Sequence, residues 1–397
     1  MSLNSTPSAN RIHIGFFGVR NAGKSSTVNA LTGQELAVVS STKGTTTDPV
    51  LKSMELLPLG PVMIIDTPGY DDEGALGELR VKKTLEILRK TDIAVLVADA
   101  TGEIGSSEKE LISLFNKRDI PYIIALNKCD VLKVKRTLSD NEIYISAKTG
   151  EGINELKEKI GALKTFAEDK PIVGDLIEKG DTVILVVPID TAAPKGRLIL
   201  PQVQTIRDIL DAGAKALVVK EDELESALES LKNPPALVIT DSQVFSTVSK
   251  IVPENIPLTS FSILMARFKG YLKTAFLGTK ALETLENGDK VLISEGCTHH
   301  RQCDDIGTVK IPKWLKQYTG KELEISTSSG VEFPEDLSEY KLIIHCGGCM
   351  LTEREVRFRM NSAKEQGVPF TNYGIFIAAV TGILSRSTEI FDLDENK

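Results

Sequence analysis

Gly18-Val19-Arg20-Asn21-Ala22-Gly23-Lys24-Ser25 follows an apolar run, Ile12 to Phe17, and precedes a helical pattern that continues through Leu31. That order of strand, glycine-rich loop and helix decides the fold of the first part of the chain, because it is the setting in which a phosphate loop works. Gly18 and Gly23 let backbone N–H groups wrap phosphates at a helix N-terminus, with Ala22 and Ser26 completing the phosphate-facing set. Lys24 is placed to reach the β- and γ-phosphates, and the Ser25 hydroxyl to ligate magnesium.

Further elements come in an order that suits one nucleotide. The polar segment Lys43 to Asp48 sits where a switch should be, and Thr46 is the residue expected to complete the magnesium shell. A strand, Val62 to Ile65, delivers Asp66-Thr67-Pro68-Gly69, in which Asp66 holds magnesium through water and the Gly69 N–H senses the γ-phosphate. Lys24, Thr46 and Gly69 are therefore the candidate catalytic groups. Strands over Ile93 to Ala98 and Tyr122 to Leu126 extend a parallel sheet, and the second ends in Asn127-Lys128-Cys129-Asp130. Asp130 can accept from guanine N1–H and the 2-amino group, a pair that adenine does not offer. GTP is the nucleotide this selects. Ser146-Ala147-Lys148, after a strand Ile143 to Ile145, is suited to the base edge. Cys129 reads as filler beside the base.

On these motifs residues 11–168 resemble the translation-factor-type GTPases, especially the branch of Era and the tRNA-modifying enzyme MnmE. Tyr70 stands after Gly69, where Ras-like proteins carry a catalytic glutamine. The resemblance implies that Asn21 helps hold potassium in place of an arginine finger, with slow, potassium-stimulated hydrolysis.

From about residue 171 the pattern changes to a smaller alternation: strand Thr182 to Val187, helix Leu200 to Ala212, strand Ala216 to Val219, helix Asp222 to Leu231, strand Ala236 to Thr240. This spacing predicts a small βαβ layer over residues 171–260. Its strands leave an edge to be covered, so self-association is expected of it. The segment Pro188 to Leu198 carries no recognisable catalytic constellation and reads as structural or interfacial.

Residues 261–397 open with an amphipathic pattern, Ser262 to Leu285, expected to be one helix. Strands over Lys290 to Ser294, Glu322 to Ser326 and Lys341 to Ile344 follow, with a helix over Thr352 to Gln366. Two of these strands lead into Cys297-Thr298-His299-His300 and His345-Cys346-Gly347-Gly348-Cys349. The chain has five Cys and four His, and all but His13 and Cys129 fall between Cys297 and Cys349, which points to one metal site. The two glycines remove Cβ atoms that would crowd an inorganic group. In parallel sheets ligands gather beyond the carboxyl ends of strands, so the two half-sites are expected to converge. Cys297, Cys346 and Cys349 suit zinc, with Cys303, His299 or His345 as a fourth ligand, and suit an iron–sulfur cluster equally well.

The whole-chain properties narrow the setting. A net charge of -8 argues against a broad nucleic-acid surface, which needs clustered Lys and Arg. The apolar stretch Ile375 to Leu384 is far short of the ~20 residues that a bilayer span requires. Residues 1–10 lack an apolar signal core and read as a disordered tail. A cytoplasmic protein with reduced cysteines is expected, and clustered cysteines there are metal ligands sooner than disulfides.

A GTPase, a small α/β domain and then Cys297-x-His299 with a distant His345-Cys346-x-x-Cys349 resemble the GTPase scaffold family of iron–iron hydrogenase maturation. The resemblance covers nearly the whole chain. It implies a 4Fe-4S cluster on Cys297, Cys346 and Cys349 with an exchangeable fourth position, for which His299 and His345 are candidates. It further implies a transient di-iron precursor as cargo, and as partners two radical-SAM hydrogenase maturases and the apo-hydrogenase, beside the homodimer or higher oligomer expected from the strand edge. An RNA-linked Era- or MnmE-type GTPase with a zinc-stabilised accessory domain is the competing reading, and a redox sensor acting through Cys303 is a third.

Overall fold

The structure, a computed structural model of the 397-residue chain, describes residues 11–33, 49–70, 75–163, 170–188, 198–296, 305–330 and 332–393. It divides into two compact units, Met1–Glu168 and Asp169–Lys397.

In the first unit the strands are β1 (Ile12–Phe17), β2 (Val50–Leu56), β3 (Gly60–Asp66), β4 (Ile93–Asp99), β5 (Tyr122–Asn127) and β6 (Glu142–Tyr144). The helices are α1 (Lys24–Thr32), α2 (Ala75–Leu88), α3 (Ser106–Lys117) and α4 (Ile153–Ala162). Among the described residues the sheet runs β2-β3-β1-β4-β5-β6, parallel except for β2 against β3. β4 is buried along almost its whole length, as a strand covered on both faces must be. β2, at the edge, alternates between exposed and half-buried positions instead. The period of two splits neighbouring residues between two cores. Phe16, Ile64 and Val95 pack with Val28 and Leu156 on one face, while Phe17, Ile65 and Leu96 pack with Leu111 and Phe115 on the other.

The second unit holds two parallel sheets. One comprises β7 (Thr182–Val186), β8 (Lys215–Val219), β9 (Leu237–Thr240) and β10 (Leu258–Ser260), with α5 (Leu200–Asp211), α6 (Leu224–Ser230) and α7 (Phe245–Ile251) between them. After α8 (Phe261–Phe268) and α9 (Leu272–Gly278), the other comprises β11 (Lys290–Glu295), β12 (Glu324–Ser329), β13 (Tyr340–His345) and β14 (Phe370–Asn372). Helices α10 (Ile311–Thr319), α11 (Glu353–Glu365), α12 (Tyr373–Val380) and α13 (Leu384–Thr388) accompany it. The strand orders are β10-β9-β7-β8 and β12-β11-β13-β14. Ile184 and Val238 of the first sheet share one hydrophobic core with Val291 and Ile343 of the second. The middle layer thus has four described strands where the sequence pattern suggested three; β10, like β14, is three residues long and too short to register as an alternation.

The single helix expected from Ser262 to Leu285 is broken at Lys269-Gly270-Tyr271. Gly270 takes φ +74°, its N–H donates to Arg267 O at 2.9 Å, and the Tyr271 N–H donates to Ala266 O at 2.9 Å. These two bonds are the Schellman closure of a helix, for which glycine in the left-handed region is the favoured residue. A side chain at Gly270 would also meet the Arg357 guanidinium, 2.5 Å from an added Cβ. Apolar periodicity ran through the break because α8 and α9 both turn apolar faces to the same core.

Candidate functional site

The first site forms where β1 ends. Chain order from β1 leads to β3 on one side and β4 on the other, and this reversal opens a crevice at the carboxyl ends. Gly18 has φ +146°, and an added Cβ would lie 2.2 Å from Val97 O, so only glycine passes there. Gly23 has φ +92° and precedes α1; an added Cβ there would lie 2.2 Å from Asn127 Nδ2. Ala22 is buried within the loop, Ser26 is half-buried in the first turn of α1, and Asn21 is exposed at φ +61°.

Lys24 is buried, and its ammonium donates to Gly18 O and Val19 O at 2.9 Å each. The loop is thereby held closed around the cation that phosphates would take over. The Ser25 hydroxyl donates to Asp66 Oδ2 at 2.6 Å. Asp66 Oδ1 is buried and has no hydrogen-bond partner among the described residues. Burial pushes the Asp66 carboxyl above the ordinary carboxylate range, against the opposing pull of the Ser25 bond and Lys24. A hydroxyl beside a buried carboxylate with one oxygen unsatisfied fits magnesium, an oxygen-seeking cation that keeps several waters. Gly69 follows, and the Tyr70 N–H donates to Gly18 O at 3.1 Å, which ties this loop to the phosphate loop. Tyr70 itself is buried. Thr46 lies outside the described residues.

The base end is equally specific. Asn127 donates to Ala22 O at 2.9 Å and accepts from the Ala147 N–H at 3.0 Å, joining the phosphate loop, β5 and the loop after β6. Ser146 donates to Asp130 Oδ1 at 2.7 Å while Asp130 remains exposed. Lys128, at φ +68°, reaches Asp99 Oδ2 at 2.5 Å; Lys148 is exposed. Asp99 is a residue the motifs alone did not single out, since it merely ends an apolar run.

The second site lies at the carboxyl ends of β11 and β13, which are parallel neighbours. Chain order leads from β11 to β12 on one side, and from β13 to β14 on the other. The connections therefore diverge, leaving a crevice at this switch point. The Cys346 N–H donates to Ser294 O at 2.9 Å, and Cys346 Sγ accepts from the Gly296 N–H at 3.0 Å and the Gly348 N–H at 3.3 Å. Gly296, the residue before Cys297, thus touches the Cys346 turn. Cys297, His299 and Cys303 lie outside the described residues. Among the described residues no group of three His, Cys, Asp or Glu is gathered for a metal. Burial pushes the thiols of Cys346 and Cys349 upward, opposed at Cys346 by the N–H groups and at Cys349 by Lys269. Two adjacent thiols with backbone N–H groups turned to one sulfur are a donor set that fits a thiophilic centre, which favours the thiolate form.

Gly348 and Gly347 prove unequal. Gly348 takes φ +63°, and an added Cβ would lie 2.9 Å from Val356 Cγ2; an added Cβ on Gly347 would meet only Ser262 Oγ, at 3.5 Å. The glycine requirement at 348 comes from the turn and its packing.

His345 is fully buried, its ring stacked on Phe370 with centroids 5.5 Å apart. Its Nδ1 lies 2.7 Å from Cys346 O, and its Nε2 lies 3.4 Å from Arg359 Nη1. A carbonyl only accepts, so the proton sits on Nδ1 and Nε2 takes the guanidinium bond. Burial and the Arg359 charge hold the imidazole neutral, its pKa pushed down to about 3. Arg359 is likewise buried, bonded to Glu355 Oε1 at 3.0 Å, to Ser294 Oγ at 3.3 Å and to Gly330 O at 2.7 Å. Neither Glu355 nor Arg359 had a sequence signal, because a Glu–Arg pair one helical turn apart reads as a solvated surface pair.

Two family descriptions now bear on residues that the geometry had singled out. The hydrogen maturase F dimerization domain matches residues 172–270, and the hydrogen maturase F tetramerization domain matches residues 273–390, across both sheets and the Cys346 turn. The chain belongs to the hydrogen maturase F family. A third description, a 50S ribosome-binding GTPase, matches residues 13–128. Outside the family, the tRNA modification GTPase MnmE of Legionella pneumophila is 39% identical over 147 residues, 36% of this chain and 32% of that protein. GTPase Der of Wolinella succinogenes is 34% identical over 165 residues, 38% of this chain and 35% of that one. This hydrogen maturase F chain therefore spans about a third of the length of the curated relatives it matches. A crystal structure of Aquifex aeolicus Era covers 52% of the chain and 93% of its own, at 19% identity and TM-score 0.34. No described helix is long and apolar enough to cross a membrane.

Proposed function

We propose that this chain is a GTP-hydrolysing scaffold of iron–iron hydrogenase maturation, holding a 4Fe-4S cluster on Cys297, Cys346 and Cys349. The cluster serves as the place where a di-iron precursor is assembled or kept before delivery to the apo-hydrogenase. One observation carries the reading: the Gly296 N–H donates to Cys346 Sγ at 3.0 Å, so the residue before Cys297 touches the other half-site, in a chain of the hydrogen maturase F family.

The roles of the chain's own residues follow. Cys297, Cys346 and Cys349 would hold the cluster through their thiolates, and a cluster held by three cysteines would supply one exchangeable position. Arg359 and Cys346 O fix the His345 ring; ligation by His345 requires the Arg359 bond to break. His299 is the other candidate for the fourth position. At the nucleotide, Lys24 moves from Gly18 O and Val19 O to the phosphates, Ser25 and Asp66 hold magnesium with Thr46, and the Gly69 N–H reports the γ-phosphate. Asn127, Lys128, Asp130, Ser146, Ala147 and Lys148 hold guanine, and Asn21 holds the stimulating potassium. GTP binding and hydrolysis bias the switch and with it contacts to the radical-SAM maturases.

The region matched by the dimerization domain carries half-exposed Val203 and Leu210 on α5 and Val218 on edge strand β8. These are the apolar positions we assign to self-association, with cytoplasmic reduction keeping the cysteines available.

The test is transfer. Protein produced with the two radical-SAM maturases is expected to activate apo-hydrogenase, and Cys349→Ser protein to activate it hardly at all. Equal activation by the variant would refute the scaffold role.

A further inference from the structure

Lys269 is 5% exposed, at the carboxyl end of α8. Its ammonium donates to Gly348 O, just before Cys349, and to Leu351 O, two residues after it, at 2.7 Å, in the turn that follows β13. Lys269 is the last residue before the Schellman closure at Gly270 ends the helix. The Arg357 Nε–H donates to the Lys269 carbonyl at 3.4 Å, and Arg357 is paired with Glu353 at 2.7 Å, which anchors the break to α11. Lys269 is the penultimate residue of the region matched by the dimerization domain, residues 172–270, whereas the turn it binds belongs to the region matched by the tetramerization domain. A buried cation is costly unless it is hydrogen-bonded and faces negative charge. The carbonyls give the bonds; two cysteine sulfurs beside it give the charge once they are thiolates.

We propose that Lys269 is a positioning residue for the metallocluster: it fixes the Cys346–Cys349 turn from below and sets the cluster's reduction potential by its charge. This presupposes the cluster reading above. Reduction adds negative charge next to a low-dielectric, cation-lined wall, so the ammonium favours the reduced form and raises the potential. Its loss therefore makes the cluster harder to reduce.

The experiment uses full-length wild type, Lys269→Gln and Lys269→Arg, each checked by circular dichroism and reconstituted anaerobically with iron and sulfide. Potentials are read by EPR-monitored titration. Lys269→Gln is expected to shift the midpoint to more negative potential, and Lys269→Arg, which keeps the charge, to return it towards wild type. In metal-free protein, amide hydrogen exchange across the Cys346–Leu351 turn, followed by peptide mass spectrometry, is expected to run severalfold faster in Lys269→Gln. Equal midpoints in the Gln and Arg variants would overturn the electrostatic role, and unchanged exchange the positioning role. A wild type that takes up no iron defeats the cluster reading instead, and the exchange rates still decide whether Lys269 holds the turn.

Discussion

Arg359 Nη1 donates to His345 Nε2 at 3.4 Å while the opposite ring nitrogen of His345 donates to Cys346 O at 2.7 Å. Both nitrogens are engaged beside the cysteine turn, in a ring with no solvent exposure. His345 is thus built as a support of the turn. Pulsed EPR of the reduced cluster is expected to show no imidazole nitrogen coupling that depends on His345; a coupling present in wild type and lost in His345→Gln would show the ring to be a ligand.

Asp66 carries a charge in a setting that suits it only when magnesium is bound. Its folded-state pKa is raised by burial, so the protonated form contributes stability at low pH, and that contribution is lost as pH rises through the folded value. Asp66→Asn is therefore expected to stabilise nucleotide-free protein by about 1 kcal/mol at neutral pH, with the gain shrinking in acid. Magnesium-dependent GTP binding should fall on the order of 10–100-fold. Urea midpoints against pH, with nucleotide titration alongside, check both signs.

The glycines of the cysteine turn separate two explanations of their presence. Gly348→Ala adds a Cβ at φ +63° and within 2.9 Å of Val356 Cγ2, and should cost about 1–3 kcal/mol. Gly347→Ala meets no tight contact and should cost less than about 0.5 kcal/mol. If room for the inorganic group were what both glycines supplied, the two variants would lose iron uptake alike while keeping their stability; thermal unfolding of metal-free protein and iron content settle which pattern holds.

Asn21 stands exposed at φ +61° on the rim of the phosphate loop. GTP turnover is expected to be severalfold faster in potassium than in sodium, and Asn21→Ala to remove the difference. Equal rates of the wild type in the two salts would end the potassium assignment.

The nucleotide unit was legible because its chemistry is local. Gly18 to Ser25 and Asn127 to Asp130 each follow one strand, and an apolar run into glycine states both the strand and the turn. The strand that leads into the Cys346 turn was legible for the same reason, as an apolar run into glycine, whereas its pairing with β11 came only from the structure. What stayed hidden depends on long-range packing. Lys269 reaches residues 79 and 82 positions away, and Arg359 reaches Ser294 across 65. On their own helices both look like ordinary surface cations. Gly270 alone gave a signal, a helix stop after Lys269, and the apolar periodicity of Ser262 to Leu285 masked it. Thr46, Cys297 and His299 lie outside the described residues, so their assignments rest on sequence alone.

The proposed function requires that Cys346 and Cys349 hold an iron–sulfur cluster rather than zinc. The most direct measurement is metal content with EPR after anaerobic reconstitution of metal-free protein with iron and sulfide. About four irons per chain and a reducible signal, both lost in Cys346→Ser, are the expected result. Stoichiometric zinc in the purified protein with no iron uptake would contradict it.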